Sequence, residues 1–255
     1  QYALTGGGKR MRPMLAFAAC EAVAQQDTHK LTPAQRDAAM RVACAVEMIH
    51  AYSLVHDDMP CMDNDVLRRG KPTVHVQYGQ AQALLAGDAL QAQAFVVLTQ
   101  NDLHDDSGVP VAAQLRWCQL LSVAAGAQGM AGGQAIDLAS VGQPLDLTQL
   151  ERMHALKTGA LIHAAVVMGG VCAHASAQEL AALDTFGKQV GLAFQVVDDV
   201  LDVLADTATL GKTAGKDALA DKPTFVSLMG LDAAKAYALR AVELSKAALD
   251  DAGLN

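Results

Sequence analysis

Aromatic residues make up only 4% of this 255-residue chain, and a single tryptophan is present. Sandwiches and barrels of β-strands rely on aromatic and β-branched side chains, so this scarcity argues against such folds. Hydrophobic residues nevertheless account for 52% of the sequence, with many alanine and leucine residues, which favour helices. The composition therefore predicts a folded helical protein and excludes a disordered one.

Paired cysteine motifs and long apolar runs are also missing. The five cysteines are scattered and contain no C-x-x-C, which argues against a disulfide framework or a zinc site and is typical of reduced thiols in a cytoplasmic protein. The most apolar long window, residues 161–173, is interrupted by His163 and is too short to cross a bilayer. We therefore expect no membrane span.

Basic residues are too few for nucleic-acid binding. Lys and Arg total 19 against 27 Asp and Glu, which gives a formal net charge of −8. A nucleic-acid-binding protein needs a net basic face to displace counterions from phosphates, so we expect no such partner. The few basic residues are clustered, however, and a local cluster can bind a smaller anion.

Helical periodicity dominates the rest of the sequence. Thr32 and Pro33 form a helix start, and the helix that follows should weaken near Met59, which precedes Pro60. No alternating strand pattern, repeat or linker is visible, so we predict one all-α domain across residues 1–255. Further helices are predicted at about 76–100, 111–131, 147–172, 177–204, 222–229 and 232–252.

Two aspartate motifs carry the chemical signal. The first is D-D-x-x-x-x-D, and the second is D-D-x-x-D. In the second, Asp198 and Asp202 share a helix face with Gln195, and the apolar flanks predict a largely buried helix. In the first, the loop through Pro60 can fold Asp63 back beside Asp57. Clusters of oxygen ligands without His or Cys favour Mg²⁺, which also binds substrate phosphates. The aspartates concerned are Asp57, Asp58, Asp63, Asp198, Asp199 and Asp202.

Basic clusters occur close to these motifs in the sequence. Acidic and basic groups in one cavity indicate an anion bridged by metal ions, most naturally a polyphosphate. The basic candidates are Lys9, Arg10, Arg12, Arg68, Arg69, Lys71, Lys157, Lys212, Lys216 and Lys222.

With the glycine-containing segments at Gly7-Gly8, Gly87-Asp88, Gly132-Gly133-Gln134 and Gly211-Lys212, these motifs resemble, in order, those of trans-isoprenyl diphosphate synthases. The resemblance covers nearly the whole chain. Two extra residues in the first motif are similar to those of the bacterial farnesyl diphosphate synthase subgroup. The resemblance implies a bundle of long, mostly antiparallel helices around a deep central cavity, usually in a homodimer. It also implies Mg²⁺-dependent condensation of isopentenyl diphosphate with allylic diphosphates.

The resemblance implies a role for each matching residue. Asp57 and Asp63 would bind two Mg²⁺ ions and Asp198 a third, with Asp58, Asp199 and Asp202 in support. The isopentenyl diphosphate would be held by Lys9, Arg12, His50 and Arg69. The allylic diphosphate would be held by Arg68, Lys157 and Lys212, with Lys222 as a further contact. Thr158 and Gln195 would lie near the reacting carbons.

Product length is expected to depend on Tyr52, five positions before the first aspartate, with Ser53 beside it offering no second block. An aromatic residue there is similar to that of C15 synthases, whereas C10 and C20 products remain alternatives. Two other interpretations stay open. A di-iron helical bundle would use the E-x-x-H motifs of Glu47-His50 and Glu151-His154. A non-catalytic subunit would be expected to lack some of the aspartates or arginines.

Overall fold

A computed structural model of the chain describes residues 1–25, 30–100, 109–204 and 223–254. Within these ranges the chain is helical apart from loops and one short hairpin of β1 (Leu67–Arg68) and β2 (Lys71–Pro72), paired antiparallel. The helices are α1 (Met11–Gln25), α2 (Pro33–Asp57), α3 (Val74–Tyr78), α4 (Gln80–Thr99), α5 (Val111–Ala125), α6 (Met130–Ala139), α7 (Leu147–His154), α8 (Ala160–Cys172), α9 (Ala177–Leu204), α10 (Phe225–Met229) and α11 (Leu231–Asp251), with a π-helical turn (Ala155–Gly159) between α7 and α8. The predicted all-α class is confirmed.

Helix α2 begins and ends where the sequence predicts. The Thr32 hydroxyl accepts a hydrogen bond from the Gln35 N–H, and the Gln35 side chain accepts one from the Thr32 N–H, so the two residues form a capping box. The helix stops at Asp57, just before Met59 and Pro60. This places the first aspartate pair at a helix end, where the chain can turn.

Two long predicted helices are each divided. The helix expected over 76–100 is split at Gly79, whose φ of 93° is incompatible with helix, into α3 and α4. The helix expected over 111–131 ends at Ala125, and α6 begins anew after Gly129. Helices α1 and α6 are not among the predicted helices. The second break matters because it makes α6 a separate helix, and residues of α6 line the cavity described below.

The core is built largely from small residues, which let the helices approach closely. One buried cluster joins α1, α2, α4, α5 and α8, and a second joins α7, α9, α10 and α11. At Gly169 on α8, an added Cβ would lie 2.2 Å from the Ala16 carbonyl oxygen of α1. The backbones of α1 and α8 are therefore in contact, and α8 is fixed as a central helix of the bundle.

Three described helical segments are long and apolar enough to cross a membrane by length and composition alone, Pro33–Asp57, Gln80–Thr99 and Leu147–Cys172. At least half of the apolar window is buried inside the protein in the first and third, but only 22% in Gln80–Thr99. Mean hydropathy thus identifies segments that the search for uninterrupted apolar runs excluded. The absence of a membrane span stays a prediction.

Candidate active site

A cavity of about 420 Å³ opens between α2, α6 and the π-helical turn; we refer to it as the α2 cavity. Its polar wall includes Arg12, His50, Asp57, Lys157 and Thr158, and its apolar wall is formed mainly by α6. A second cavity of about 250 Å³, the α9 cavity, is lined by residues that include Lys157, Thr158, Gln195, Asp198 and Asp199. Since Lys157 and Thr158 line both cavities, the two share one wall.

The first aspartate motif folds back as the sequence predicts. The backbone N–H of Asp63 donates to the carbonyl oxygen of Asp57 at 2.8 Å, so the loop through Pro60 brings the two residues together. Asp58 points elsewhere. It is buried and receives hydrogen bonds from Arg68 Nε at 2.9 Å and from an Arg68 terminal nitrogen at 2.5 Å.

The carboxyl group of Asp57 lies in an environment that disfavours its ionised form. Burial raises its pKa from 3.8 to about 6, Lys157 opposes the increase, and Asp63 adds to it. A nearby cation stabilises the ionised form of such a carboxylate, because it replaces the hydration that burial has removed. The local electrostatics therefore fit a bound metal ion at Asp57.

Burial also shifts the pKa values of two basic residues that line the α2 cavity. Burial lowers the pKa of Arg12 to about 10, even though Glu47 favours its charged form. Burial and the neighbouring arginines, Arg12 first among them, lower the pKa of His50 to about 3, so its imidazole is neutral. A neutral histidine beside a partly buried guanidinium can donate one N–H to an anion, which suits a diphosphate site.

Two predicted diphosphate ligands lie away from this cavity. Arg68 is held by Asp58, and the exposed Arg69 donates to the Gly7 carbonyl oxygen; both line a separate cleft behind the β-hairpin. Lys9 is exposed at the N-terminal side. Of the four residues predicted for isopentenyl diphosphate, the structure therefore brings only Arg12 and His50 into the α2 cavity.

The π-helical turn presents Lys157 and Thr158 to both cavities. Its backbone hydrogen bonds span one more residue than those of an α-helix, a feature that is frequent at functional sites. Helix α6 packs directly on it, since a Cβ on Gly133 would lie 2.2 Å from the Lys157 backbone nitrogen. One turn further along α6, buried Asp137 binds the Lys157 ammonium at 2.6 Å. Asp137 thus restrains the position of the amine.

A chain of hydrogen bonds joins the π-helical turn to the second aspartate motif. Thr158 Oγ1 donates to Gln195 Oε1 at 3.4 Å, and Gln195 Nε2 donates to Asp199 Oδ1 at 3.1 Å. The other oxygen of Asp199 accepts from the Phe225 N–H at 2.8 Å. Asp199 is buried, so it holds the Gln195 amide in one orientation and secures the start of α10.

The second motif is less buried than the flanking sequence indicates. Val196 and Val200 are buried, but Asp198 is exposed and Asp202 half-buried. Four apolar neighbours expected inside the protein are exposed, namely Val197, Leu201, Val203 and Leu204. The prediction of a largely buried helix is wrong for these last turns of α9, where among the described residues the buried Val196 and Val200 pack in the cluster that α10 and α11 share. Lys212, Lys216 and Lys222 lie outside the described residues.

The donor groups of both motifs are oxygens, which suits Mg²⁺. Among the described residues no three His, Cys, Asp or Glu side chains converge as a ready-made metal site. This arrangement is compatible with Mg²⁺, which keeps several waters and binds through one or two carboxylates together with substrate phosphates. The residues present therefore fit an ion that arrives with a diphosphate.

The E-x-x-H motifs have other partners. Glu47 receives a hydrogen bond from Arg10, and Glu151 receives one from the Tyr237 hydroxyl at 2.5 Å. His154 stacks on Phe225 at 5.6 Å between ring centroids. Each glutamate has a protein partner, so the structure gives no support to the di-iron interpretation.

Sequence reasoning did not single out Asp137 on α6, and it named Gln134 only within the Gly132-Gly133-Gln134 segment, without a role. Asp137 holds Lys157, and Gln134, only 7% exposed, lines the α2 cavity with neither amide atom hydrogen-bonded. Leaving a buried polar group unsatisfied costs about 1–3 kcal/mol. The only sequence signal was that both residues follow Gly132-Gly133. Gly133 and Asp137 are four residues apart and so share one face of a helix.

Comparison with known proteins bears on this site. The polyprenyl synthetase family profile matches residues 1–251. A probable farnesyl diphosphate synthase of Sinorhizobium fredii is 49% identical over 94% of this chain and 69% of its own length. The large subunit 1 of the chloroplastic heterodimeric geranylgeranyl pyrophosphate synthase of Arabidopsis thaliana is 46% identical over 93% of this chain and 62% of its own length.

A solved structure is similar as well. The geranyltransferase of Helicobacter pylori, complexed with magnesium and isoprenyl diphosphate, superposes with a TM-score of 0.83 at 37% identity, covering 98% of this chain and 79% of that one. The fold and site thus define an all-α transferase that acts on isoprenyl diphosphates. The chain belongs to the polyprenyl synthetase family.

The raised pKa of Asp57 predicts a change of stability with pH. The unfolded carboxyl ionises near 3.8 and the folded one near 6, so the wild-type protein loses stability as the pH rises through this interval, by at most about 3 kcal/mol. Without metal, Asp57→Asn should therefore raise the unfolding temperature near pH 8. The gain should shrink near pH 4. Thermal unfolding in EDTA measures both.

Asp184→Asn serves as the opposite control. Burial disfavours the ionised form of Asp184, but hydrogen bonds from Lys188 and His163 outweigh it and lower its pKa. This variant should therefore unfold at a lower temperature than wild type near pH 8. An Asp57→Asn variant that is destabilised in the same way would show that the Asp57 carboxylate is compensated within the protein.

Proposed function

We propose that this chain is a Mg²⁺-dependent prenyltransferase that condenses isopentenyl diphosphate head-to-tail with dimethylallyl diphosphate and then geranyl diphosphate, giving farnesyl diphosphate and pyrophosphate. The observation that carries the proposal is the shared wall of the two cavities. The first motif borders one cavity and the second motif borders the other, and Lys157 and Thr158 lie between them. Relatives named farnesyl diphosphate synthase support the same activity.

Mg²⁺ would be held by the two aspartate motifs. Asp57 and Asp63 would bind two ions and Asp198 a third, while Asp58, Asp199 and Asp202 support the arrangement. The ions would supply Lewis-acid neutralisation of the diphosphate leaving group. The raised pKa of Asp57 and the exposure of Asp63 and Asp198 support this division of roles.

The cationic side chains would bind and orient the two diphosphates. Lys9, Arg12, His50 and Arg69 would bind the isopentenyl diphosphate, and Arg68, Lys157 and Lys212 the allylic one, with Lys222 as a further contact. Arg12 and His50 already line the α2 cavity. Arg68 and Arg69 would have to leave the Asp58 carboxylate and the Gly7 carbonyl oxygen to reach it. Substrate binding is thus proposed to rearrange the β-hairpin.

The reaction follows from this arrangement. The allylic C–O bond breaks and pyrophosphate leaves with the electron pair, the double bond of isopentenyl diphosphate attacks the allylic cation, and one proton is lost to pyrophosphate. The hydroxyl of Thr158 and the carbonyl oxygen of Gln195, joined at 3.4 Å, would stabilise the positive charge. The apolar wall of α6 would exclude water from the cation.

Incubation with labelled isopentenyl diphosphate and geranyl diphosphate tests the proposal. Farnesol should appear after dephosphorylation of the products when Mg²⁺ is present, and EDTA should abolish it. Dimethylallyl diphosphate as the starter should give the same final product. A folded chain without elongation activity toward either starter would indicate the non-catalytic subunit instead.

Product length is proposed to be limited by Tyr52. Its ring lines the α2 cavity one to two helical turns from Asp57 and packs edge-to-face on His56 at 5.6 Å. Ser53 also lines the cavity but is too small to close it. The geranylgeranyl diphosphate synthases among the relatives support the C20 alternative, so the residue at this position is the feature to test.

Tyr52→Ala should extend the product to C20 or longer, because removing the ring lengthens the space beyond the growing chain. Tyr52→Phe, which keeps the ring, is the matched control and should still stop at C15. Chromatography of the dephosphorylated products distinguishes these outcomes. Unchanged C15 product from Tyr52→Ala would assign the stop to another residue.

We further propose a cytoplasmic homodimer formed through α4 and α5. These adjacent helices expose apolar side chains, Leu85 at 63%, Val111 at 72% and Leu115 at 71%. In a homodimer, a second copy of the chain would bury these side chains, so no membrane is needed to cover them.

Leu115→Glu should convert the dimer to a monomer, because a carboxylate would be buried in the proposed interface. Light scattering coupled to gel filtration measures the mass. Leu239→Glu, at an equally exposed leucine on α11, is the control and should remain dimeric. Equal masses for wild type and both variants would contradict this interface.

A further inference from the structure

Gln134 is a buried amide without a hydrogen-bond partner. It is 7% exposed on α6, and neither its Oε1 nor its Nε2 meets a donor or acceptor. Buried side-chain amides nearly always have partners, so an unsatisfied one calls for a physical explanation. Gln114 on α5 shows the ordinary case, since its equally buried amide donates to the Val109 carbonyl oxygen at 3.3 Å.

The position of Gln134 indicates what satisfies the amide. It lines the α2 cavity together with Lys157 and Thr158, and its neighbour Gly133 contacts the Lys157 backbone. The cavity wall around it is apolar, formed by Met130, Ala131, Ala135 and Leu138. Gln134 therefore lies in the apolar wall that a hydrocarbon would contact, in the same cavity as Thr158, which is assigned to the reacting carbons.

We infer that Gln134 is a further catalytic residue whose amide oxygen stabilises the allylic cation; this inference rests on the proposed function. A neutral prenyl chain cannot hydrogen-bond to an amide, so the oxygen stays unsatisfied in the substrate complex. Positive charge that develops when the C–O bond breaks gives it a partner. An interaction gained only at that stage accelerates the reaction without tightening substrate binding.

Gln134→Met tests this role, because methionine has a similar length and no amide. The ligand-free variant should unfold at a temperature equal to or above that of wild type, since an unsatisfied polar group has been removed. Its turnover should fall at least about tenfold, with KM values for both diphosphates within about threefold of wild type. Gln114→Met, the matched control, should unfold at a lower temperature and keep its turnover.

A charged probe separates this inference from the proposed function. The ammonium ion of 3-methyl-2-butenylamine carries positive charge next to the allylic carbon, and 3-methyl-2-butenol is its neutral counterpart. With Mg²⁺ and pyrophosphate present, calorimetry should show that Gln134→Met weakens ammonium binding at least about fivefold and leaves the alcohol unchanged. Because calorimetry measures binding, it tests the role of Gln134 even in the absence of turnover. The proposed function is tested separately, by whether the wild-type chain turns over its substrates.

Three results would overturn the assignment. One is a Gln134→Met variant with wild-type turnover and unchanged ammonium affinity. Another is loss of stability together with retained turnover, which would make the residue structural. The last is weaker binding of Mg²⁺-pyrophosphate itself, which would make the amide a donor to the diphosphate.

Discussion

Desolvation of charge is the constraint on which the rest of the structure depends. Asp57, Arg12 and His50 surround one cavity, and burial is the largest cause of the pKa shift of each. Burial makes the charged forms of these groups less stable, and an ion of opposite charge would offset that cost for Asp57 and Arg12. The closely packed, alanine-rich helices hold these groups in place, and a metal-bound diphosphate would supply the missing partners.

Three residues assigned to the reaction are each held by a buried carboxylate. Asp137 binds Lys157, Asp58 binds Arg68, and Asp199 binds Gln195. Asp137 and Asp199 fix the orientation of Lys157 and Gln195, which reduces the reorganisation needed when the substrate reacts. Arg68, in contrast, would have to leave Asp58 to reach the α2 cavity. Two of the three belong to the aspartate motifs, so these motifs orient neighbouring residues in addition to carrying the proposed metal ligands.

Local signals predicted the parts of the structure that depend on neighbouring residues in the sequence. The Thr32 cap, the end of α2 and the bounds of α9 were predicted correctly because caps, proline and apolar period determine them. The breaks at Gly79 and Gly126 were missed, since glycine is also tolerated within helices. The roles of Asp137 and Gln134 were missed for another reason: they depend on which helix α6 faces, and no local pattern contains that information.

The π-helical turn Ala155–Gly159 separates α7 from α8 by one residue more than a continuous α-helix would need. An α-helix turns about 100° per residue, so the extra residue sets the rotational phase between the two helices. Loss of one codon here would leave composition, charge and helix propensity almost unchanged. It would nevertheless turn either Lys157 or the buried face of α8 away by about a quarter of a revolution. The number of residues in this segment therefore carries structural information that substitutions alone would not reveal.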